Sequence, residues 1–547
     1  MSDFPRETTA LVIKTNDQKV ASIIKIFLDI LKRTLPTALA YDFSISLPVL
    51  GSMITHLGNG EGEAAPITAL LALVGMLIYA SILPSSFYLG TAFGELKEKE
   101  EQLKNLEKNS AEYQKLISEI QIIEMQIART PRNAIIAFLP YLLSVLPLAL
   151  SKQLLTALKQ DASVANAAQN FFEVYSPFFS FCMPIRLPIE FALLAAKKQI
   201  PAMLIADTSL LITIGIQYGL GFWTPLRLLG LGLGGGIGTA LTSIGFLIYA
   251  GKFFKNMPFF NKIFSWNEND GQQIRSFIKT VPPIYFSVAS DMTVSFVASI
   301  FAGLLGNDAL KKQNIVTQFF NLNMLMTAAN SQTTALTISE ENGKRHAAQS
   351  RSTVGIKHAV IAGALSNIIL QLPLALFVFI APGTFSSCIG ASIADPEEIR
   401  FLMLAAAAYS FIDGIRFNLL QSSRALGDNA IVSILSFICM GLGVMAAYLV
   451  SQYTSLGVTA IPTSLAGGAL AGTLVLMARL KRYIANLETV ADDEAPMIVA
   501  TDAADRVDAA APQIGPQFWN ASPVIQDASN VVINPMETPA TSEIKYT

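Results

Sequence analysis

Apolar runs of bilayer-spanning length recur along most of this 547-residue chain, and a helix needs about 20 such residues to cross the hydrocarbon core. Lipid offers no partner to backbone N–H and C=O groups, so a spanning segment must satisfy them internally, as a helix does. Composition agrees, with 52% of residues hydrophobic and 14% charged, against about 25% charged in a soluble domain. The expectation is an all-α polytopic membrane protein embedded in a lipid bilayer. One run, Pro283–Gly306 (PIYFSVASDMTVSFVASIFAGLLG), contains a single acid, Asp291, and a later run contains Asp413. A carboxylate in hydrocarbon is costly, so it faces a bundle interior or a wet cavity and marks a functional site by default.

Counting runs of that length predicts twelve spans. The first six lie near residues 35–57, 66–93, 134–155, 171–196, 201–223 and 228–250; the second six lie near 276–305, 313–338, 355–381, 398–423, 429–451 and 460–481. Lys and Arg collect in cytoplasmic loops, which tests the parse. Alternate loops on one side receive Lys32, Arg33, Lys197, Lys198, Lys252, Lys255, Arg275, Lys344, Arg345, Arg351, Arg479, Lys481 and Arg482, among others. The opposite side receives Lys152, Lys159, Arg227, Lys311, Lys312 and Arg400. Both termini are therefore expected in the cytoplasm.

The expected organisation is an amphipathic lead-in (1–33), an amino-terminal six-helix lobe (34–251), a cytoplasmic linker (252–275), a carboxy-terminal six-helix lobe (276–482) and a disordered cytoplasmic tail (483–547). The lead-in spaces Val20, Ile23, Ile24, Phe27 and Leu31 on one helical face, as a helix along a membrane surface does. Residues 95–132 interrupt the first lobe with Leu96, Leu103, Leu106, Tyr113, Ile117, Ile120 and Ile127 at heptad-like spacing. They read as two antiparallel cytoplasmic helices, restarted by a capping box at Asn109-Ser-Ala-Glu112, or else as a solvated charged linker. This hairpin and the tail are the places where a protein partner would dock.

Other function classes find little support. A net charge of −2 gives no steering toward nucleic acid. Cys182, Cys388 and Cys439 lack metal-site spacing, and His56, His346 and His358 do not cluster. The glycine run Gly230–Gly238 lacks the Lys-Ser/Thr ending of a phosphate loop and suits close helix packing instead. No nucleophile, base and metal grouping points to an enzyme, and no cofactor is expected.

The intramembrane ionisable residues are Asp42, Arg186, Glu190, Asp207, Asp291, Asp413 and Arg416. Arg186 and Glu190 are four apart and Asp413 and Arg416 three apart, so each pair shares a helix face and can neutralise itself. These pairs read either as self-compensating structure or as parts of a site, and Asp42 and Asp207 as interface residues or secondary site residues. Asp291 has no basic neighbour within four positions on its helix. It must find a partner elsewhere, be protonated or bind a cation.

The seventh and tenth spans resemble those of the multidrug and toxic compound extrusion (MATE) transporters, in their bacterial branch. Pro283 is followed eight residues later by Asp291, and Gly306 closes the span; Asp413, Arg424 and Asp428 keep the family's tenth-helix intervals in FIDGIRFNLLQSSRALGDNA. The glycine-rich sixth span and a Glu341-Asn-Gly343-Lys turn are further family-like features. The first helix departs from the pattern, having Gly51 where the family has an aspartate about fifteen residues after its proline, here Pro36, and Gln217 is adjacent to Ile216, where the family's fifth helix is polar. The resemblance implies twelve helices in two lobes around a V-shaped central cavity, in a bacterial inner membrane. It further implies an antiporter that exports small organic, cationic compounds in exchange for Na⁺ or H⁺, with Asp291 and Asp413 holding the cation. A flippase for lipid-linked or polysaccharide precursors, and a non-transporting scaffold acting through hairpin and tail, are the alternatives.

Overall fold

A computed structural model describes residues 6–40, 42–57, 64–108, 110–157, 162–255, 266, 268–388 and 396–489. Among them, every regular element is a helix. The first half comprises α1 (Arg6–Ala40), α2 (Asp42–Leu57), α3 (Ala64–Lys104), α4 (Ala111–Phe138), the short α5 (Leu146–Ala149) and α6 (Ser151–Ala157), α7 (Ala162–Ala195), α8 (Gln199–Phe222) and α9 (Leu228–Lys255). The second half comprises α10 (Glu268–Leu304), α11 (Asn307–Ala347), α12 (Val354–Ile380), the short α13 (Pro382–Cys388), α14 (Pro396–Ala425), α15 (Asn429–Tyr453) and α16 (Ala460–Thr489). Residues 1–5, 256–265, 267 and 490–547 of the expected lead-in, linker and tail lie outside the described residues, as do the side chains of Asp42, His56 and Cys388.

Local sequence explains the breaks. Over the third expected span the helix gives way to a 3₁₀ stretch, Leu139–Val145, before α5. Pro140 and Pro147 sit at the starts of these pieces, where the missing N–H costs nothing. Helix α4 restarts at Ala111 with Ser110, not Asn109, as its cap: the Ser110 hydroxyl accepts from the Tyr113 N–H at 3.1 Å. Residues 341–344 continue α11 helically rather than forming a turn.

Seven helices among the described residues are long and apolar enough to cross a membrane. Their outward faces keep large apolar residues exposed, as on α15 with Ile434, Phe437, Ile438, Leu442 and Met445, a contiguous patch that suits lipid and not water. Helix α11 is absent from those seven. Its buried face carries Asn323, Thr327, Asn330, Ser331, Gln332, Thr333, Thr334 and Thr337, so it is polar where it meets protein.

In the first half, α9 packs between α7 and α8. Cβ atoms at Gly230, Gly234 and Gly238 would collide with α8, and at Gly232 and Gly236 with α7, so the glycine run serves helix contact on two faces. In the second half, α14, α15 and α16 pack together, with α10 on α15 and α11 and α12 on α14. The halves meet where α3 packs on α10 and α11, and α1 on α11 and α12.

The α3–α11 seam is the tightest of these contacts by backbone geometry. A Cβ on Gly94 would lie 2.1 Å from the Glu340 carbonyl oxygen, and one on Gly343 would lie 2.1 Å from that of Thr91. Each helix thus provides a glycine for the other's backbone. Gly94→Ala is expected to destabilise the protein by about 1–3 kcal/mol through overpacking, read as a lower thermal unfolding midpoint in detergent. Gly441→Ala, where a Cβ meets nothing within 4 Å, is the control and should hold or raise the midpoint. Equal losses from the two changes would refute the close contact.

Candidate functional site

Helix α10 contributes Asp291, and α14 contributes Asp413 and, one turn later, Arg416. The Arg416 guanidinium joins all three: Nε donates to Asp413 Oδ1 at 2.6 Å and Nη2 to Asp291 Oδ1 at 2.9 Å. Its Nη1 donates to the Ser436 hydroxyl on α15. Arg416 is 1% exposed, so this cation is dry, and a dry charge is costly unless its donors are matched. The fork geometry of arginine permits one side chain to hold two carboxylates and a hydroxyl at once. Asp291 Oδ2 is buried without a hydrogen-bond partner.

Asp291 therefore finds its partner on another helix, and Asp413 and Arg416 form the expected i, i+3 pair with a second acid added. Further along α14, Arg424 is also fully buried and acts electrostatically on Asp291. The structure brings Asp291, Asp413 and Arg416 together.

Arg186, Glu190 and Asp207 belong to the other half. Arg186 Nε donates to Glu190 Oε2 at 3.2 Å, both side chains are buried, and the guanidinium lies 5.3 Å from the Phe246 ring centre. Asp207 is half-buried on α8.

The two arginines are related by position, a feature that linear reading missed. Arg186 stands in Ile185-Arg186-Leu187, eleven residues before Lys197, whose φ is 59°. Arg416 stands in Ile415-Arg416-Phe417, eleven residues before Gly427, whose φ is 98°. Both left-handed residues close their helices in the same way: Lys198 N–H bonds the Leu193 carbonyl at 2.8 Å, and Asp428 N–H that of Ser423 at 3.1 Å. The signal was the shared Ile-Arg and its spacing from the helix end.

A second polar cluster also escaped sequence reasoning because its members are far apart in the chain. Glu340, at the end of α11, is met by Lys197 Nζ at 2.8 Å, Lys344 Nζ at 3.3 Å and Lys97 Nζ at 3.9 Å. Lys197 and Lys97 come from the first half, so the cluster crosses the α3–α11 seam. Burial pushes the Glu340 carboxyl up, but the charges of Lys197 and Lys344 and the hydrogen bond from Lys197 outweigh it and hold the group at about 2. A carboxyl held below its ordinary value contributes stability that is complete above about pH 4.5 and is lost as pH falls through about 2. Glu340→Gln is expected to cost about 1–3 kcal/mol at neutral pH, with the gap from wild type closing between pH 4.5 and pH 2 in thermal unfolding. A gap independent of pH would refute the ion cluster.

Residues 283–449 match the family model MatE, a range that contains Asp291, Asp413, Arg416 and Ser436. The chain carries a MatE domain on the MATE transporter fold. Among solved structures, the eukaryotic MATE transporter AtDTX14 superposes with a TM-score of 0.69 at 14% identity, covering 86% of this chain and 100% of that one. A multidrug resistance MATE family transporter of the MOP superfamily, solved in an outward-facing conformation, gives 0.64 at 13% identity, covering 84% and 97%. A MOP superfamily transporter from Pyrococcus furiosus, described as having a binding pocket of reverse polarity, gives 0.62 at 14% identity, covering 84% and 96%. No curated protein matches the chain. The MATE fold places twelve helices in two lobes, and the proteins that share it are membrane transporters rather than enzymes.

Proposed function

We propose that the protein is a cation-coupled antiporter that exports organic, cationic compounds in exchange for Na⁺ or H⁺ across a plasma membrane, with both termini in the cytoplasm. The observation that carries this reading is the convergence of Asp291 and Asp413 on Arg416, with Asp291 Oδ2 left without a hydrogen bond. Within the bonded trio two carboxylates share one guanidinium, so direct contacts leave a unit of negative charge unmatched, and Arg424 acts on Asp291 only through space. A proton, a sodium ion or a substrate ammonium group supplies the missing positive charge, and each would compete with the others for the same oxygens.

Coupling follows if occupancy changes which conformation is favoured, since a ligand shifts an equilibrium only by its differential affinity for the two states. Asp291 and Asp413 lie on different helices, α10 and α14. A cation on Asp291 weakens its hold on Arg416 and so loosens α10 from α14. The seam of α3 on α11, glycine-packed and crossed by Glu340 and Lys197, is the contact that must open for the site to reach the opposite side.

The test is transport of a fluorescent organic cation in proteoliposomes with imposed Na⁺ and pH gradients. Asp291→Asn should reduce gradient-driven flux to background while the protein elutes as a monodisperse species. Full flux in that variant would overturn the assignment. No stimulation of the wild type by either gradient would overturn the antiport reading itself.

A further inference from the structure

Helix α16 ends at Thr489 beside the start of α12, where Glu488 accepts from Lys357 Nζ at 2.7 Å and from the Thr353 hydroxyl. The end of α11 adjoins them, since Arg345 lies close enough to Tyr483 of α16 to act on its hydroxyl electrostatically. These ends form one basic surface, on which Arg351, Lys357, Lys481 and Arg482 are exposed and Arg345 is half-buried. Its acids are already engaged, Glu341 by Lys344 at 2.6 Å and Glu488 by Lys357. Among the described residues, Lys481 and Arg482 make no hydrogen bond or ion pair, and Arg345 bonds Asn342 and His346 but no acid.

Loops at a membrane boundary collect Lys and Arg in any case, so the cations alone name no partner. The sequence that follows them does. Residues 490–547 lie outside the described residues, and their first part holds Asp492, Asp493, Glu494, Asp502, Asp505 and Asp508 against one base, Arg506. Asp492 is three residues beyond Thr489, and Arg482 is seven residues before it. Seven helical residues run about 10 Å and five extended ones reach up to about 17 Å, so Asp492 to Glu494 can turn back onto Lys481 and Arg482. The hairpin end of α3 also meets α11, Gln102 donating to the Ala347 carbonyl at 3.4 Å. There Lys97, Lys99 and Lys104 are interspersed with Glu95, Glu98, Glu100 and Glu101, so its charges largely cancel.

We propose that the acidic segment 492–508 docks on the basic surface formed by the ends of α11 and α16 and the start of α12 of its own chain. Its carboxylates meet exposed cations that stay hydrated, so each contact is weak and screened by salt. Tethering compensates, because a segment joined to its site by a short linker meets it at an effective concentration of about millimolar. Several weak contacts then hold together. Anionic lipid headgroups and the same segment of a second copy are the competing occupants, and neither is attached to the site. Segment and surface share one end of α16, so the proposal rests neither on antiport nor on which side of the membrane that end faces.

The experiment uses the full chain, as a mixture of isotope-labelled and unlabelled copies, in phosphatidylcholine nanodiscs large enough for two. A carbodiimide joins carboxylates to lysine amines with no spacer, and the linked peptides are read by mass spectrometry. The Lys357–Glu488 ion pair supplies the positive control for the chemistry. Links from Asp492, Asp493 or Glu494 to Lys481 or Lys357 are expected within chains of one isotope, falling about fivefold or more between about 0.05 and 0.5 M NaCl. Arg345→Gln combined with Arg482→Gln leaves every reactive lysine and carboxylate in place, and it should lower those links about threefold or more at low salt. Lys252 and Lys255, exposed at the end of α9, report undirected collision. Links to them as frequent as to Lys481 and Lys357 would overturn the proposal, as would yields that neither salt nor the arginine changes alter. Links found only between isotopes would assign the surface to a second copy. Links lost when phosphatidylglycerol replaces part of the phosphatidylcholine would assign it to lipid, and either result overturns this segment as the occupant.

Discussion

Helix α11 cannot face lipid. Its run of Asn, Gln, Ser and Thr from Asn323 to Thr337 is buried, and unsatisfied polar groups in hydrocarbon cost several kcal/mol each. The helix is therefore enclosed by α1, α3, α12 and α14, which supply partners: Asn330 donates to the Gly363 carbonyl at 2.8 Å, Gln371 to Thr327 at 2.8 Å, and Tyr79 to Gln332 at 3.1 Å. Two of those neighbours, α1 and α3, come from the first half. Enclosing one polar helix thus brings the halves together along a single seam.

The same economy governs the charged site. Each half buries an arginine at an equivalent distance from a left-handed helix end, and each must be neutralised. In the first half Arg186 bonds Glu190 on its own helix and the Ala40 carbonyl on α1. In the second half the arginine takes one acid from its own helix and another from α10, which makes the pairing depend on tertiary structure. A charge balance shared between helices changes when they move, and under the proposed function this is what couples the carboxy-terminal site to conformation.

Much of this was legible in the chain. Apolar runs marked the helices, and Asp291 and Asp413 stood out because no apolar run tolerates an acid without a reason. Spacing also revealed the Asp413–Arg416 and Arg186–Glu190 pairs, since residues three or four apart meet on any helix. It could not reveal that Asp291 shares Arg416, because Asp291 and Arg416 are 125 positions apart. Lys197 and Glu340, 143 apart, were hidden for the same reason. Arg424 read as part of a motif, and only burial shows that two of its nitrogens are unmatched. The span expected at 313–338 falls within α11, which is still less apolar than the seven crossing helices because a helix surrounded by protein has no need of apolar faces. The helix predicted across 134–155 breaks at prolines whose effect depends on where the preceding helix happens to end.

Charge balance in the carboxy-terminal half also has an electrical meaning. Asp291 and Asp413 are offset by Arg416, which bonds both, and by Arg424, which acts on Asp291 through space, so with all four ionised the groups carry no net charge. A neutral cluster moves through a membrane field without electrical work. With one cation bound it carries a unit charge, on which the field acts with about 2.3 kcal/mol per 100 mV. Under the proposed mechanism the membrane potential therefore biases the loaded carrier and leaves the empty one alone.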